Sequence, residues 1–397
     1  MRARPTLMLL GLLVAGALLA ACSSGGTPSG APSGPQSGSP DGSPTTIGSA
    51  GGAPPAAAPS GAAATERPGG LAAVRHVFVV NLENKSFDQT FGPGAAAPYL
   101  ARTLTAKGQL LTQYYAVAHH SLPNYIAQIS GQGPSKQTQG DCPRYTEFMR
   151  DSIVPPDQAV GDGCVYPQGV DTVAGQLEGH GYTWRGYMQD MGRPCRHPTL
   201  NALDTSQQAR RGDQYATRHN PFVYFREITG SPACARDVVD LSRLPQDLSS
   251  AASTPNLSYI SPDLCSDGHD QPCVDGRPGG LVSADAWLRA WVPRILASPA
   301  FGKDGLLVVT FDEAESDTAA ACCGEGATPN TDQPGITGPG GGRVGAVVVS
   351  PFVRPGTRNA TSYNHFSLLR TIEDAFGLPA LGYAQDAHPF GADVFGS

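Results

Sequence analysis

The sequence contains little charge and no run of basic residues. Only 15% of its 397 residues are Asp, Glu, Lys or Arg, and the formal net charge at pH 7 is −7. A nucleic-acid-binding domain is expected to carry clustered Lys and Arg, or a stripe of basic and aromatic side chains. The sequence shows neither pattern, which argues against nucleic acid as a partner. It also shows no internal repeat, so one main domain is the simplest organisation.

A long apolar run is also missing. The apolar stretch 7–19 is shorter than the about 20 residues that a helix needs to span a bilayer, which argues against a transmembrane anchor. Arg2 and Arg4 precede this stretch and Leu19-Ala20-Ala21-Cys22 ends it, a pattern typical of a bacterial lipoprotein signal. We expect residues 1–21 to be that signal and Cys22 to carry a lipid. The alternative is an ordinary secretory signal. Both readings predict export, either lipid-anchored on the outer side of the cytoplasmic membrane or secreted.

Residues 22–70 lack the side chains of a folded domain. They are almost wholly Ser, Gly, Pro, Ala and Thr, a composition that cannot bury enough apolar surface to offset its ordering entropy. We therefore predict a flexible tether over this segment. Residues 71–397 are long enough for one sizeable domain with a buried core.

The cysteine spacing of a zinc site is absent as well. Eight of the nine cysteines follow Cys22, and the adjacent pair Cys322-Cys323 has no matching pair of ligands. An even number of cysteines in an exported chain predicts up to four disulfides. The sequence leaves their pairing open, although Cys142–Cys164 and Cys265–Cys273 are plausible local loops.

Alternating strand and helix patterns are present. They predict an α/β fold in which helices cover both faces of a central, mostly parallel sheet. Strands are predicted at 76–82, 182–188, 257–260, 306–311 and 344–348. Helices are predicted at 97–106, 125–130, 171–180, 284–297 and 366–376. The Gly- and Pro-rich stretches 131–170, 190–220 and 322–343 are predicted to be loops.

Two of the predicted strands end in polar groups that suit a hard cation. Glu83-Asn84 follow the first strand, and Asp312-Glu313 follow the strand at 306–311. Ligands bind at the carboxyl ends of parallel strands, and carboxylate and amide oxygens are the donors that Mg²⁺, Mn²⁺ or Ca²⁺ prefer. These residues therefore predict a divalent-metal site. The simpler readings are that Asn84 caps the next helix and that the two acids are solvated.

A serine between these two segments is a candidate nucleophile. Ser121 precedes Pro123, which is tolerated in the first turn of a helix, so its hydroxyl is expected at a helix N-terminus. Backbone N–H groups there hold phosphoryl oxygens, and metal coordination makes a hydroxyl easier to deprotonate. His120 and Asn124 flank the serine and offer further groups to a phosphate. The simpler reading is that Ser121 only caps the helix.

Histidines form the last candidate set. His219, His269 and His365 would act in a phosphate site as metal ligands, as donors to phosphate oxygens, or as the acid that protonates the leaving alcohol. A position on the surface or in the core is the commoner fate of any single histidine.

The chain resembles the bacterial phosphoesterase family that includes respiratory-burst-inhibiting acid phosphatases and bacterial phospholipases C. The resemblance lies in the segments HVFVVNLENKSFDQTFG, SLPNYIAQISG, YTWRGYMQDM, HNPFVYF, SPDLCSDGHD, VVTFDEAESD and YNHFSLLRTIEDAFGLP, which occur in the expected order. They span about residues 76–380. The short length is similar to that of the small secreted acid phosphatases rather than to the longer phospholipases C.

This resemblance implies an alkaline phosphatase-like fold and a metal-assisted, in-line attack by a hydroxyl nucleophile. It implies metal ligation by Glu83, Asn84, Asp312 and Glu313, with Ser121 as nucleophile and further ligand. His219, His269 and His365 match positions where substrate or leaving-group histidines are expected. Asp263 and Asp267 fall in a region that binds a second metal in some superfamily members and not in others, so the number of metals stays open.

We therefore expect hydrolysis of phosphate monoesters through a phosphoseryl intermediate. His269 and His365 are the expected further catalytic residues, and the expected substrate-binding residues are His120, Asn124 and His219. The substrate would be a small phosphorylated molecule or a phospholipid head group. One alternative is a phospholipase C-type phosphodiesterase, which uses the same nucleophile and differs in its leaving-group pocket. Another is a lipoprotein that binds a phosphorylated ligand without turnover; the set of acids beside a nucleophile favours catalysis.

Overall fold

The structure is a computed structural model that describes residues 69–315 and 318–396. These residues belong to one unit of the chain, residues 63–397, and the other unit, residues 1–62, lies outside the described ranges. The predicted signal, Cys22 and nearly all of the predicted tether also lie outside them. The last tether residues, Gly69 and Gly70, already belong to a short helix.

The strands of the described residues form one large sheet and one hairpin. They are β1 (His76–Leu82), β2 (Gln109–Tyr115), β3 (Met149–Val154), β4 (Gln158–Asp162), β5 (Trp184–Met188), β6 (Val238–Asp240), β7 (Leu257–Ser261), β8 (Gly305–Phe311), β9 (Ala346–Val349) and β10 (Thr357–Asn364). The 8-stranded sheet has the order β10-β2-β9-β8-β1-β7-β5-β6. Within it only β9 runs antiparallel to its neighbours. β3 and β4 pair separately as an antiparallel hairpin.

Helices connect most of these strands. The α-helices are α1 (Gly69–Ala72), α2 (Phe87–Phe91), α3 (Ser121–Ser130), α4 (Val173–Gly179), α5 (Arg226–Thr229), α6 (Ala233–Asp237), α7 (Leu244–Asp247), α8 (Gly280–Leu296), α9 (Pro299–Asp304), α10 (His365–Phe376) and α11 (Ala392–Phe395). A π-helix spans Tyr99–Leu104. The 3₁₀ turns are Thr138–Gly140, Thr217–His219, Pro221–Tyr224, Leu241–Arg243 and Gly382–Gln385. Among the helices of the described ranges, none combines the length and the apolar character needed to cross a bilayer.

The centre of the sheet is buried on both faces. Every residue of β1, β7 and β8 is buried. Because successive side chains of a strand point to opposite faces, complete burial means that both faces are covered. α3, α4 and α10 contact one another, while α8 contacts α9 and the π-helix. The predicted α/β fold with a mostly parallel, doubly covered sheet is confirmed.

Most predicted elements are present, with shifts at their ends. The helix predicted from residue 125 already begins at Ser121, and the helix predicted at 97–106 is a π-helix at Tyr99–Leu104. The prediction of a continuous loop at 131–170 is wrong because this stretch contains the β3–β4 hairpin. β3 is exposed at nearly every position, so it carries no alternation of apolar and polar residues that would reveal a strand.

Disulfides join all eight cysteines of the described residues. The two pairings considered from the sequence, Cys142–Cys164 and Cys265–Cys273, are confirmed. The remaining bridges are Cys195–Cys234 and the adjacent pair Cys322–Cys323.

Candidate active site

The ends of the two central strands bring the predicted acidic pairs together. β1 and β8 are parallel neighbours whose last residues pair, so Glu83 and Asp312 follow them at the same level. The backbone N–H of Asn84 donates to Asp312 Oδ1 at 3.1 Å, and Asn84 Nδ2 donates to Glu313 Oε1 at 2.8 Å. Asn84 has a φ of 52°, a left-handed conformation that asparagine tolerates better than most residues. The register of the sheet therefore assembles this group of side chains.

The start of α3 adds two hydroxyl groups to this cluster. Ser121 is the first residue of the helix and only 2% exposed, and its Oγ donates to Glu83 Oε2 at 2.8 Å. The Tyr125 hydroxyl donates to Glu83 Oε1 at 2.5 Å. Residues four apart lie on the same face of a helix, so one face of α3 presents both groups to Glu83.

A buried histidine lies on the other side of Glu83. His219 ends the 3₁₀ turn Thr217–His219, and its Nε2 lies 3.4 Å from Glu83 Oε1. Its Nδ1 lies 3.3 Å from Asp267 Oδ2, an ion-pair distance without the geometry of a hydrogen bond. The His219 ring stacks on Tyr125 with the ring centroids 5.3 Å apart. Ligand atoms of Glu83, His219 and Asp267 all lie within 4.8 Å of one another.

The carboxylates are crowded where water does not reach them. Burial, reinforced by the charges of Asp312 and Asp267, raises the pKa of Glu83 well above its ordinary value. Burial and the adjacent charge of Glu313 raise the pKa of Asp312 to about 7. Burial also raises the pKa of Asp267 well above its usual range. These shifts express the free-energy cost of holding several negative charges together in a region of low dielectric constant.

A histidine contacts the Glu313 carboxylate. His119 Nδ1 makes a close hydrogen bond to Glu313 Oε2. Burial alone would lower the pKa of His119, but the hydrogen bond and the charge of Glu313 outweigh it, so the pKa is raised. A protonated His119 would balance one of the negative charges at this strand end.

The donor set of the cluster fits a divalent cation. Asp312 Oδ2 and Asp267 Oδ2 are buried and have no hydrogen-bond partner among the described residues. A buried carboxylate oxygen without a partner is costly unless a proton or a cation satisfies it. Oxygen donors of this kind suit Mg²⁺, Mn²⁺ or Ca²⁺. The predicted metal ligands all lie in this cluster: Glu83, Asn84, Ser121, Asp312 and Glu313.

His365 lies behind the cluster rather than facing it. Its Nε2 lies 2.6 Å from the Asp312 carbonyl oxygen, and its Nδ1 lies 3.0 Å from the Tyr114 hydroxyl and 3.2 Å from the Gln128 amide nitrogen. A carbonyl oxygen can only accept, so the Nε2–H donates to Asp312 and Nδ1 is the acceptor. Burial lowers the pKa of His365 to about 4, which keeps the ring neutral. The structure thus gives His365 a supporting position rather than the expected position beside the leaving group.

The side chains of two other predicted residues form hydrogen bonds with the backbone. Asn124 Oδ1 accepts two backbone N–H groups, and Asn124 Nδ2 donates to two carbonyl oxygens, all from residues 117–120. Its amide therefore shapes the loop before α3 and has no hydrogen left to donate to a phosphate. Asp263 Oδ1 accepts the backbone N–H groups of residues 265 and 266, which makes Asp263 a turn-forming residue.

The remaining predicted histidines, His120 and His269, are exposed. His120 Nδ1 lies 3.6 Å from Asp141 Oδ2. His269 Nδ1 lies 2.8 Å from Asp270 Oδ1, and His269 Nε2 lies 3.3 Å from the Arg218 guanidinium. Arginine can only donate, so His269 Nε2 accepts and the ring proton is on Nδ1, bound to Asp270. Arg218 therefore selects the tautomer of His269.

Three residues of this site were not predicted from the sequence: His119, Tyr125 and Arg218. Tyr125 carries a recognisable signal, since it follows Ser121 by one helical turn within the same motif. The other two each directly precede a histidine that was predicted. Although burial disfavours the charge of Arg218, nearby carboxylates including Asp141 raise its pKa, so it stays cationic beside the acidic cluster.

An open cleft reaches the outer side of the cluster. It has a volume of about 660 Å³, and Asn84, Glu313, His119 and His120 contribute to its lining. Residues 335–337 of the connection between β8 and β9 also line the cleft. This volume is in the range of small-molecule sites.

The family match and the relatives in sequence agree with the resemblance read from the sequence. The phosphoesterase family matches residues 94–379. An acid phosphatase of Aspergillus fumigatus is 26% identical over 315 residues, which are 78% of this chain and only 56% of the fungal protein. A phosphatidylinositol-3-phosphatase of Mycobacterium tuberculosis is 27% identical over 328 residues, 82% of this chain and 84% of that protein. Among solved structures, a protein in the alkaline phosphatase superfamily from Vibrio parahaemolyticus is 12% identical with a TM-score of 0.46, covering 79% and 69% of the two chains.

Replacing His365 should destabilise the protein. His365→Ala would leave the Tyr114 hydroxyl and the Asp312 carbonyl without their partner and would open a cavity in the core. We expect the free energy of unfolding in urea to fall by about 2–4 kcal/mol. The exposed His180 is the control, and His180→Ala should change the free energy of unfolding by less than about 0.5 kcal/mol. Equal effects of the two substitutions would contradict the supporting position of His365.

Proposed function

This chain belongs to the phosphoesterase family, and from that premise we propose that it hydrolyses phosphate monoesters with Ser121 as the nucleophile. The observation that carries the proposal is the hydrogen bond from Ser121 Oγ to the buried carboxylate of Glu83. A hydroxyl at the start of α3 therefore lies beside a proton acceptor at the end of β1. Backbone N–H groups at a helix N-terminus favour the negative charge of a phosphate.

The residues of the chain supply the proton transfers of this reaction. Glu83 accepts the proton of Ser121 as the oxygen attacks phosphorus, and the bond from phosphorus to the ester oxygen breaks. We assign protonation of the leaving alcohol to His269, whose ring is partly exposed, because His365 is enclosed behind Asp312. The imidazolium form of His269 gives the Nε2 proton to the ester oxygen and leaves the neutral tautomer described above, with the Nδ1 proton bound to Asp270 and Nε2 accepting from Arg218. Water then attacks the phosphoseryl phosphorus and gives a proton to His269 Nε2, the bond from phosphorus to Ser121 Oγ breaks, and Glu83 returns its proton to that oxygen as phosphate is released.

A divalent cation is part of the proposal. Glu83, Asn84, Asp312 and Glu313 would hold it, with the Ser121 hydroxyl beside them. When bound, such a cation favours deprotonation of the serine and neutralises charge on the phosphoryl oxygens. The polypeptide itself aligns Ser121 with these donors through the register of β1 with β8 and through the face of α3.

The relatives support a monoester substrate. Both curated relatives described above are named as phosphatases, and the mycobacterial one is named for a phosphorylated phosphatidylinositol. The fungal protein is much longer than the matched region, so its activity does not transfer to this chain as a whole. We propose a small phosphorylated molecule or a phospholipid head group, held in the cleft between His120 and residues 335–337.

Export and lipid attachment at Cys22 complete the proposal. Disulfides are typical of proteins outside the reducing cytosol, and the described residues contain four. In bacterial cells that process lipoproteins, the full chain should fractionate with membranes, and Cys22→Ser should shift it to the soluble exported fraction. A soluble wild-type protein of mature size would instead indicate an ordinary secretory signal.

Removal of the Ser121 hydroxyl should abolish turnover. For Ser121→Ala we expect kcat/KM on an aryl phosphomonoester to fall by about 10³-fold or more, because the nucleophile is lost. The control is Ser130→Ala, at the other end of α3, where the buried hydroxyl donates to the Ile126 carbonyl at 2.8 Å. Ser130→Ala should keep activity within about 3-fold.

Two results would contradict this mechanism. A Ser121→Ala protein that stays active would exclude the serine nucleophile. A wild-type protein that cleaves a bis-aryl phosphodiester but no monoester would favour the phosphodiesterase alternative.

Metal removal should abolish activity reversibly. A chelator should stop phosphate release, and Mg²⁺, Mn²⁺ or Ca²⁺ should restore it. Asp312→Asn should weaken metal binding, measured by calorimetry, by at least about 10-fold, because a charged ligand is lost. Asp151→Asn, on the exposed strand β3, is the control and should bind metal as the wild type does. Full activity in the chelated protein would overturn the metal assignment.

A further inference from the structure

The bridge between Cys322 and Cys323 differs from the other disulfides in its exposure. Cys323 is exposed and Cys322 is half-buried. In the three other bridges of the described residues, each pair includes a cysteine that is at most 2% exposed. The bridge also lines a cavity of about 520 Å³ that is separate from the cleft described above. Cys323 is thus the one exposed cysteine among the four bridges of the described residues, and a small thiol has access to it.

Glu325 connects this bridge to the rest of the fold. Glu325 Oε2 accepts the backbone N–H of Cys322 at 3.2 Å and that of Cys323 at 2.8 Å. Its other oxygen, Oε1, accepts the side-chain amide of Asn364 at 2.5 Å. One carboxylate thus joins the disulfide turn to the end of β10.

Asn364 carries this connection to the active site. It is the N-cap of α10, and its Oδ1 accepts the backbone N–H of Ser367 at 2.9 Å. The next residue is His365, whose Nε2–H donates to the Asp312 carbonyl at 2.6 Å. The path from the disulfide to a proposed metal ligand is therefore a continuous series of short contacts: Cys323, Glu325, Asn364, His365 and Asp312.

We propose that Cys322–Cys323 is a site of thiol–disulfide exchange with dithiols, and that its reduction lowers the activity at Ser121. The effect on activity rests on the proposed function; the exchange itself does not. A disulfide between adjacent residues closes a small ring that contains their shared peptide bond. This ring restricts the backbone that presents two N–H groups to Glu325. Opening the ring frees that backbone and weakens the hydrogen bond between Glu325 and Asn364.

The exchange proceeds by two displacements. A thiolate of the dithiol attacks the exposed Cys323 Sγ, the S–S bond breaks, and Cys322 leaves as a thiolate that takes up a proton. The second thiolate of the reagent then attacks the mixed disulfide. It releases Cys323 as a thiol and leaves the reagent as a disulfide. The protein gains two electrons and two protons, and the dithiol loses them.

The test uses the oxidised full-length chain and graded dithiothreitol in the presence of excess divalent metal. Free thiols are alkylated and located by mass spectrometry, and kcat/KM is measured on an aryl phosphomonoester. We expect Cys322 and Cys323 to be labelled before any other disulfide-bonded cysteine. Over the same range, kcat/KM should fall by roughly 3- to 10-fold and recover on reoxidation.

Variants separate the exchange from side effects of the reagent. The double variant C322S/C323S should have the lowered kcat/KM of the reduced wild type before any dithiothreitol is added. Its activity should not respond to dithiothreitol. Glu325→Gln should give a smaller decrease, because it weakens the link to Asn364. Asp386→Asn is the matched control, since Asp386 lines the same cavity and is exposed. It should respond to the reagent as the wild type does.

Hydrogen exchange gives a readout that needs no turnover. Reduction should speed amide exchange in residues 322–325 and 364–367. Labelling of another cysteine pair first would overturn the exchange site. Labelling of Cys322 and Cys323 with unchanged hydrogen exchange and unchanged kcat/KM would overturn the coupling. If no phosphoester is cleaved even by the oxidised protein, the proposed function fails, while thiol labelling and hydrogen exchange still decide the exchange site.

Discussion

The repulsion among buried carboxylates at the ends of β1 and β8 is the constraint on which the rest of this structure depends. Burial alone makes ionised Glu83 and Asp312 expensive, and each lies in the field of other acids. The surrounding groups lower this cost in different ways. Hydroxyls from α3 donate to Glu83, a backbone N–H donates to Asp312, and Arg218 remains charged nearby. A cation at this point would balance the negative charge that these groups leave uncompensated.

Buried parallel strands and a buried polar layer beneath them support this cluster. His365 and Gln128 form this layer, and the Tyr259 hydroxyl donates to Gln128 at 2.7 Å. Such groups do not face the cleft, yet they determine where the Asp312 backbone lies. Precision at a metal or phosphate site commonly depends on such supporting hydrogen bonds.

The positions of the acidic strand ends and of Ser121 were predictable because they leave local signals. Glu83 and Asp312 each follow a continuous apolar run, and Ser121 precedes a proline at a helix start. The roles of Asn124 and His365 were not predictable from the motifs that contain them. Their motifs suggest contact with substrate, but long-range contacts assign them to the loop before α3 and to the Asp312 carbonyl. Arg218 was missed for the same reason, since its importance comes from carboxylates distant in sequence.

The antiparallel direction of β9 has a consequence for how such a site can diversify. A strand antiparallel to β8 begins at the end of the sheet where β8 ends, so the connection between them can contribute residues to the cleft, as residues 335–337 do. Neither strand would have to change its pairing if this connection were lengthened, shortened or rewritten. Selection for a different substrate therefore has a segment on which to act, while the residues that position Ser121 and the acids remain under separate constraint.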